Sequence, residues 1–134
     1  MTSAVTLVVL SEPAPQGSKR VFNGRLVEAA GNKLKKWRSA IAEQCVVSGQ
    51  EGLISGPVKV EIDFYMPRPK TVKQSARPLP IKPPDLDKLC RSVLDGIGQS
   101  ECIWEDDSQV VELIAKKFYA DDREAGARIV ITPI

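Results

Sequence analysis

Hydrophobic and polar positions alternate most cleanly over residues 58–65, where Val58, Val60, Ile62 and Phe64 are interleaved with Lys59, Glu61, Asp63 and Tyr65. A two-residue period belongs to a strand with one face in the core. Residues 4–10 (AVTLVVL) are apolar without a break and β-branched, which predicts a buried strand. Over residues 28–47 the period changes. Ala30, Leu34, Trp37, Ile41 and Cys45 recur every three or four positions among Lys33, Lys35, Lys36 and Arg38. That is one apolar stripe on a helix, with Trp37 a core side chain. A second helix is predicted over 85–97, with Leu86, Leu89, Cys90, Val93, Leu94 and Ile97 on its stripe. Asp85, directly after Pro83-Pro84, is placed as its N-cap, and Gly96 and Gly98 as its stop. A β-rich stretch at 109–119, a turn at 121–126 and a strand at 127–132 complete the chain. The order β-α-β-loop-α-β-β predicts an α+β fold, a small mixed β-sheet with two helices packed on it.

A length of 134 residues suits a single domain over 1–134. With 43% apolar and 27% charged residues the composition is globular rather than disordered. No apolar run approaches the roughly 18 residues that span a bilayer. Residues 4–10 lack the basic start and small-residue cleavage site of a secretory signal, so the expected location is the cytoplasm. The chain has no histidine, which excludes Ser-His-Asp triads, Cys-His pairs and His-bound zinc. Cys45, Cys90 and Cys102 are odd in number and lack CxxC spacing, which argues for reduced, mostly buried thiols. Chemistry falls to carboxylates, lysines, arginines and hydroxyls.

The net charge of +2 conceals an asymmetry. Residues 1–82 carry 13 Lys and Arg against 6 Asp and Glu, whereas residues 83–134 carry 6 against 11. A basic half suits a polyanion, and an acidic segment suits a metal cation. Solvated surface charge is the alternative for each half taken alone. Residues 66–84 hold six of the ten prolines together with Arg68, Lys70, Lys73, Arg77 and Lys82, and no acid. That predicts an extended basic loop over 67–82, either a solvated excursion or a cover for a phosphate backbone. Lys19 and Arg20, after Pro13 and Pro15, form a second basic turn.

The candidate chemistry lies in Asp85-x-Asp87 at the second helix start and Asp106-Asp107 before the next strand. If these meet, their mutual repulsion either raises their pKa values or draws in a cation. With only oxygen ligands at hand, that cation is Mg²⁺ or Mn²⁺. Capping by Asp85 and dipole complementation by Asp87 are the structural alternatives. Arg91 lies four residues after Asp87 and four before Asp95, which predicts an intrahelical salt-bridge ladder. The functional alternative is a cation that stabilises a phosphate in transfer.

Pro84-Asp85-Leu86-Asp87-Lys88-Leu89, then Val93-Leu94-Asp95-Gly96-Ile97, then Trp104-Glu105-Asp106-Asp107-Ser108-Gln109-Val110 occur in order. This stretch resembles the RusA family of Holliday junction resolvases, with its P-D-x-D-N-L, L-D-x-L and W-x-D-D-x-Q-V segments. The close match covers residues 83–112. The resemblance implies a Mg²⁺-dependent endonuclease acting as a two-fold homodimer on four-way DNA junctions, often carried by phages. Metal ligands would then fall on Asp85, Asp87 and Asp107, with Asp106 beside them and Arg91 in the catalytic set. Lys19, Arg20, Arg68, Lys70, Lys73, Arg77, Lys82 and Lys117 would contact DNA. Two positions depart from the family pattern. Lys88 replaces the usual Asn, and Arg91 stands where Lys is common. Arginine does not exchange a proton near neutral pH, so Arg91 would act electrostatically, or Lys117 or Lys82 would serve instead. Two other readings fit the residues: a non-catalytic DNA-binding module with a structural acidic cluster, and a metal-dependent phosphohydrolase of small nucleotides.

Overall fold

The computed structural model describes residues 3–17, 19–22, 25–28 and 31–134, and side chains only outside 18–30. Strand β1 (Val5–Val9) is followed by the short strands β2 (Lys19–Phe22) and β3 (Arg25–Glu28) and by helix α1 (Gly31–Val47). Strand β4 (Val58–Met66), helix α2 (Leu86–Ser100), a 3-10 turn (Asp107–Gln109) and strands β5 (Val110–Tyr119) and β6 (Gly126–Pro133) complete the chain. The strands form a four-stranded mixed sheet in the order β1-β6-β4-β5, and a separate β2–β3 hairpin. β6 is antiparallel to both β1 and β4, while β4 and β5 run parallel. The parallel pair needs a crossover, and α2 supplies it. This is the expected α+β architecture. Among the described residues no helix is long and apolar enough to cross a membrane.

The core lies between one sheet face and the two helices. Val58, Val60, Ile62, Phe64 and Met66 are all buried, in the period that the sequence displays. Leu34, Trp37, Ile41 and Cys45 of α1 meet Leu89, Val93 and Ile97 of α2 in the same cluster. Trp37 is fully buried, and its Nε1–H donates to Ser92 Oγ at 2.9 Å. Ser92 in turn donates to the Leu89 carbonyl at 2.7 Å, so the one buried hydroxyl of α2 is satisfied on both sides.

Four expectations are corrected. Strand β1 is half-buried, with Val8 and Leu10 exposed, because it lies at a sheet edge with one face to solvent. Helix α1 begins at Gly31 rather than at residue 28, and residues 25–28 belong to the hairpin. Helix α2 continues through Gly96 and Gly98 and ends at Glu101, in a left-handed conformation (φ 58°). Gly96 is buried where α1 crosses, and a Cβ there would sit 3.1 Å from Ile41 Cβ, so it serves close approach and not termination. The proline-rich loop is folded back rather than extended. Arg68 Nη1 donates to the Arg77 carbonyl at 2.6 Å, and turns close at Pro69–Val72 and Lys73–Arg77.

Gly126 opens β6 against the end of β1. A Cβ at this position would collide with the Val9 carbonyl oxygen, a main-chain atom that cannot rotate away. Gly126→Ala is therefore expected to cost about 2–3 kcal/mol, lowering Tm by roughly 10 °C in a thermal melt. An unchanged melt would contradict this placement of β1.

Candidate nucleic-acid and metal site

Asp85 occupies the N-cap position of α2 with extended backbone (φ −71°, ψ 141°), yet its carboxylate makes no capping hydrogen bond. Among the described residues it reaches Lys88 Nζ alone, at 3.8 Å. Asp87, one residue into the helix, is exposed and hydrogen-bonds nothing among the described residues. Neither carboxylate is therefore spent on holding the helix. Pro83 and Pro84, joined by a cis bond, lead into this end. Lys117, near the end of β5, donates through Nζ to the carbonyls of Pro84 (2.9 Å) and Lys82 (3.2 Å). Lys117, expected to meet phosphate, thus also ties strand β5 to the entry of α2.

The ladder expected through Arg91 does not form. No ion pair joins Asp87 or Asp95 to Arg91, whose exposed guanidinium has no acidic partner among the described residues. Gln16 N–H donates to the Lys88 carbonyl at 3.0 Å, and a Cβ on Gly17 would lie 3.9 Å from Arg91 Nη1. The segment leading to β2, the strand that opens with Lys19 and Arg20, therefore passes α2 at Lys88 and Arg91. The side chains of Lys19 and Arg20 lie outside the described residues.

The second acidic pair is elsewhere. Helix α2 is 15 residues long, or about 22 Å at 1.5 Å per residue, and Asp107 follows its far end. Strand β5 then runs back from Val110, beside Val58, to Lys117 at Pro84, a further span of about 23 Å. No three Cys, Asp or Glu side chains among the described residues converge as a cation site. Within one protomer, then, the expected four-carboxylate cluster does not assemble, because a helix and the strand returning beside it place successive starts at opposite ends. Asp85 and Asp87 remain as a pair.

Asp106 has a structural task. Its Oδ2 accepts from Ser108 N–H at 3.3 Å, and Gln109 Oε1 accepts from Asp106 N–H at 3.1 Å, a reciprocal capping box on the 3-10 turn. The bonds from Ser108 hold the Asp106 carboxyl below the usual carboxylate range. Gln109 Nε2 also donates to the Ile54 and Gly56 carbonyls, at 2.7 and 3.0 Å. Sequence reasoning passed over Gln109, although Asp-x-x-Gln is the signature of such a cap. Asp107, by contrast, is exposed and outside the box's side-chain bonds. Cys90, beside Asp87, is pushed up to about 11 by burial and then by the Asp87 charge, so it is a neutral thiol rather than a ligand.

Arg68 is also engaged. Its Nε and Nη2 donate to Asp121 Oδ1 and Oδ2 at 2.7 and 3.1 Å, and its guanidinium lies 3.9 Å above the Tyr119 ring. The side chain is 12% exposed, so Arg68 anchors the loop and is not presented to a phosphate backbone. Lys70, Lys73 and Lys82 are exposed and Arg77 is half-buried. Under the loop, a cleft of about 410 Å³ is lined by prolines, Tyr119, Lys33, Arg77 and Lys82, next to the Asp85 end of α2.

The Arg68 hydrogen bond keeps the Asp121 carboxyl below its ordinary value. A lowered folded-state pKa contributes stability above the unfolded value, roughly 3.9, and loses it as pH falls through the folded value. The Arg68 Nε–H NMR signal is expected to shift on acidification with a midpoint below that of a free aspartate. A midpoint at or above about 4 would contradict the anchor.

The match to known proteins extends beyond the acidic motifs. The model of the family described as Endodeoxyribonuclease RusA matches residues 11–132, nearly the whole chain. The chain belongs to the RusA endodeoxyribonuclease family. A relative from Bacillus subtilis (strain 168), named uncharacterized protein YqaN, is 30% identical over 129 residues, covering 88% of this chain and 89% of its own. Membership in the RusA family implies endonuclease action on DNA and relates the chain to Holliday junction resolution. The match takes in the segment after Pro13, the proline-rich loop and the acidic motifs alike, so the basic and acidic halves both fall within it.

Proposed function

We propose that the protein is a Mg²⁺-dependent endodeoxyribonuclease that resolves four-way DNA junctions by paired symmetric nicks, in recombination and repair, as a homodimer. The observation that carries this reading is the Asp85–Asp87 pair. It is exposed at a helix start, free of capping duty, and flanked by basic segments in a RusA-family chain. Mg²⁺, or Mn²⁺ in its place, suits these oxygen donors. Among the described residues of one protomer no third carboxylate joins the pair, so in this reading Asp107 reaches it from outside that protomer.

The chain's own groups do the rest. Arg91, exposed and without an acidic partner among the described residues, supplies a fixed positive charge for the phosphate at the Asp87 turn. Its guanidinium does not move a proton. Lys117 holds the Pro84 carbonyl and so positions the turn that presents Asp85. Lys70, Lys73, Arg77 and Lys82 offer charge to flanking phosphates, joined by Lys19 and Arg20 of the hairpin. Paired nicks on a two-fold symmetric junction require two sites, which a two-fold homodimer provides.

The test is cleavage of an end-labelled synthetic four-way junction beside a linear duplex of the same sequence, with Mg²⁺ or with chelator. The reading predicts nicking of the junction alone, abolished by chelator, and binding that weakens steeply with salt. Salt-sensitive binding without cleavage under Mg²⁺ or Mn²⁺ would instead identify a DNA-binding module.

A further inference from the structure

We infer that the cleft under the proline-rich loop takes one unpaired nucleotide of the DNA, with its base against the proline walls and its phosphate at Arg77 and Lys82. The inference rests on the proposed nuclease reading and adds a feature of the substrate: a displaced base beside the cut.

The cleft has a volume of about 410 Å³, within the range of sites that hold a small molecule. Among the described residues, half of those that line it are prolines, and Met66 and Tyr119 extend the apolar surface. A proline side chain presents hydrocarbon and its backbone has no N–H, so these walls offer a base apolar contact and make no demand on its hydrogen-bonding edge. Pro67, Pro69 and Pro83 line the cleft and are nevertheless exposed. Leu79 and Ile81, on either side of the buried Pro80, are 53% and 77% exposed. So much apolar surface left in water beside a cleft marks a binding site.

The charges identify the occupant. Glu12 is the one carboxylate among the described lining residues, and Lys33 Nζ holds it at 2.8 Å. Arg77 and Lys82, which also line the cleft, have no acidic partner among the described residues. A cleft with apolar walls and unspent cations suits a group that is apolar and flat at one end and anionic at the other. A nucleotide of a DNA strand has that form. A base stacked within a duplex cannot enter, whereas one that is already unpaired enters at the least cost.

The walls are set in advance. Arg68 ties Asp121, the Arg77 carbonyl and the Tyr119 ring together. Lys117 ties the carbonyls of Lys82 and Pro84. Two cations thus fasten the loop and leave the side chains of Arg77 and Lys82 for the ligand. Pro84 lines the cleft, and Asp85 follows it directly in the chain. A nucleotide seated here brings its neighbouring phosphate to the Asp85–Asp87 pair, so the cleft selects DNA whose pairing is broken beside the site of cutting.

The probe is a duplex with a single extrahelical 2-aminopurine, compared with the fully paired duplex and with a four-way junction, all in EDTA so that nothing is cut. The bulged duplex is expected to bind at least about tenfold more tightly than the paired one, and its 2-aminopurine to become at least about threefold less accessible to acrylamide quenching. Pro67→Trp and Lys33→Trp fill the cleft from the loop and from α1 respectively. Each is expected to bring the bulged duplex within about twofold of the paired one and to return the base to the quencher. Both positions are exposed, and a thermal melt checks that each variant is folded.

Equal binding of bulged and paired duplex by a protein that binds the junction overturns the inference and leaves the nuclease reading standing. A base that stays protected in both filled variants overturns the cleft as its place. Free 2-aminopurine deoxyriboside monophosphate bound as tightly as the bulged duplex would make the cleft a site for free nucleotides and overturn the assignment to DNA. A chain that binds none of the three DNAs sinks the nuclease reading and the inference together.

Discussion

Asp87→Asn is expected to abolish junction cleavage while leaving junction binding within about twofold of wild type. The substitution keeps the side chain's size and removes its charge at an exposed position that hydrogen-bonds nothing among the described residues. Stability should move by less than about 0.5 kcal/mol, since exposed sites away from caps and cores are tolerant. The catalytic loss should be at least a hundredfold, because a carboxylate that holds a cation cannot be replaced by a neutral amide of the same shape. Measured under single-turnover conditions, the loss should appear in the cleavage rate rather than in the junction concentration needed for half-saturation. An Asp87→Asn protein that cuts at the wild-type rate would return Asp87 to the role of a surface acid at a helix N-terminus.

The largest expected effect on stability comes from Trp37→Ala. Trp37 is fully buried at the crossing of α1 with α2 and satisfies the Ser92 hydroxyl. Truncation removes a large apolar surface, opens a cavity and leaves Ser92 with only its bond to the Leu89 carbonyl. A cost of about 4 kcal/mol follows, a substantial part of the total stability of a domain this size. The Tm should fall by roughly 15 °C. Trp37→Phe should retain most of the packing and lose about 1 kcal/mol for the hydrogen bond. If both variants melt alike, the indole nitrogen rather than the ring would be the group that matters.

The sheet and both helices were legible because burial acts on whole faces, and faces leave periods. The alternation in β4 and the stripe Leu34-Trp37-Ile41-Cys45 are direct records of which side meets the core. The β2–β3 hairpin was missed, although Asn23-Gly24 between two short β-rich runs is its usual signal. Residues 23 and 24 themselves lie outside the described residues. Gly96 misled because a glycine chosen for close helix packing is spelled the same as one that ends a helix. Arg68 misled in the same way: its cation reads as a DNA contact until Asp121, 53 residues away, is brought to it.

The candidate site was legible as residue types and motifs, but not as a place. Asp85-x-Asp87 is local, and its freedom from capping emerges only from the side-chain geometry of the helix start. Asp106-Asp107 joins two unlike tasks in adjacent letters, one carboxylate folded into a cap and the other exposed. Whether two helix-separated pairs meet depends on strand direction, and the parallel β4–β5 pairing sets them apart within one chain.

The most direct measurement is to map every cut on a four-way junction with fixed arms, each of its four strands labelled in turn, in Mg²⁺. The account predicts two nicks at symmetry-related positions on opposing strands, leaving two linear duplexes whose nicks DNA ligase seals. Cuts scattered over all four strands, or matched at equal rate on linear duplex, would contradict junction resolution as the function.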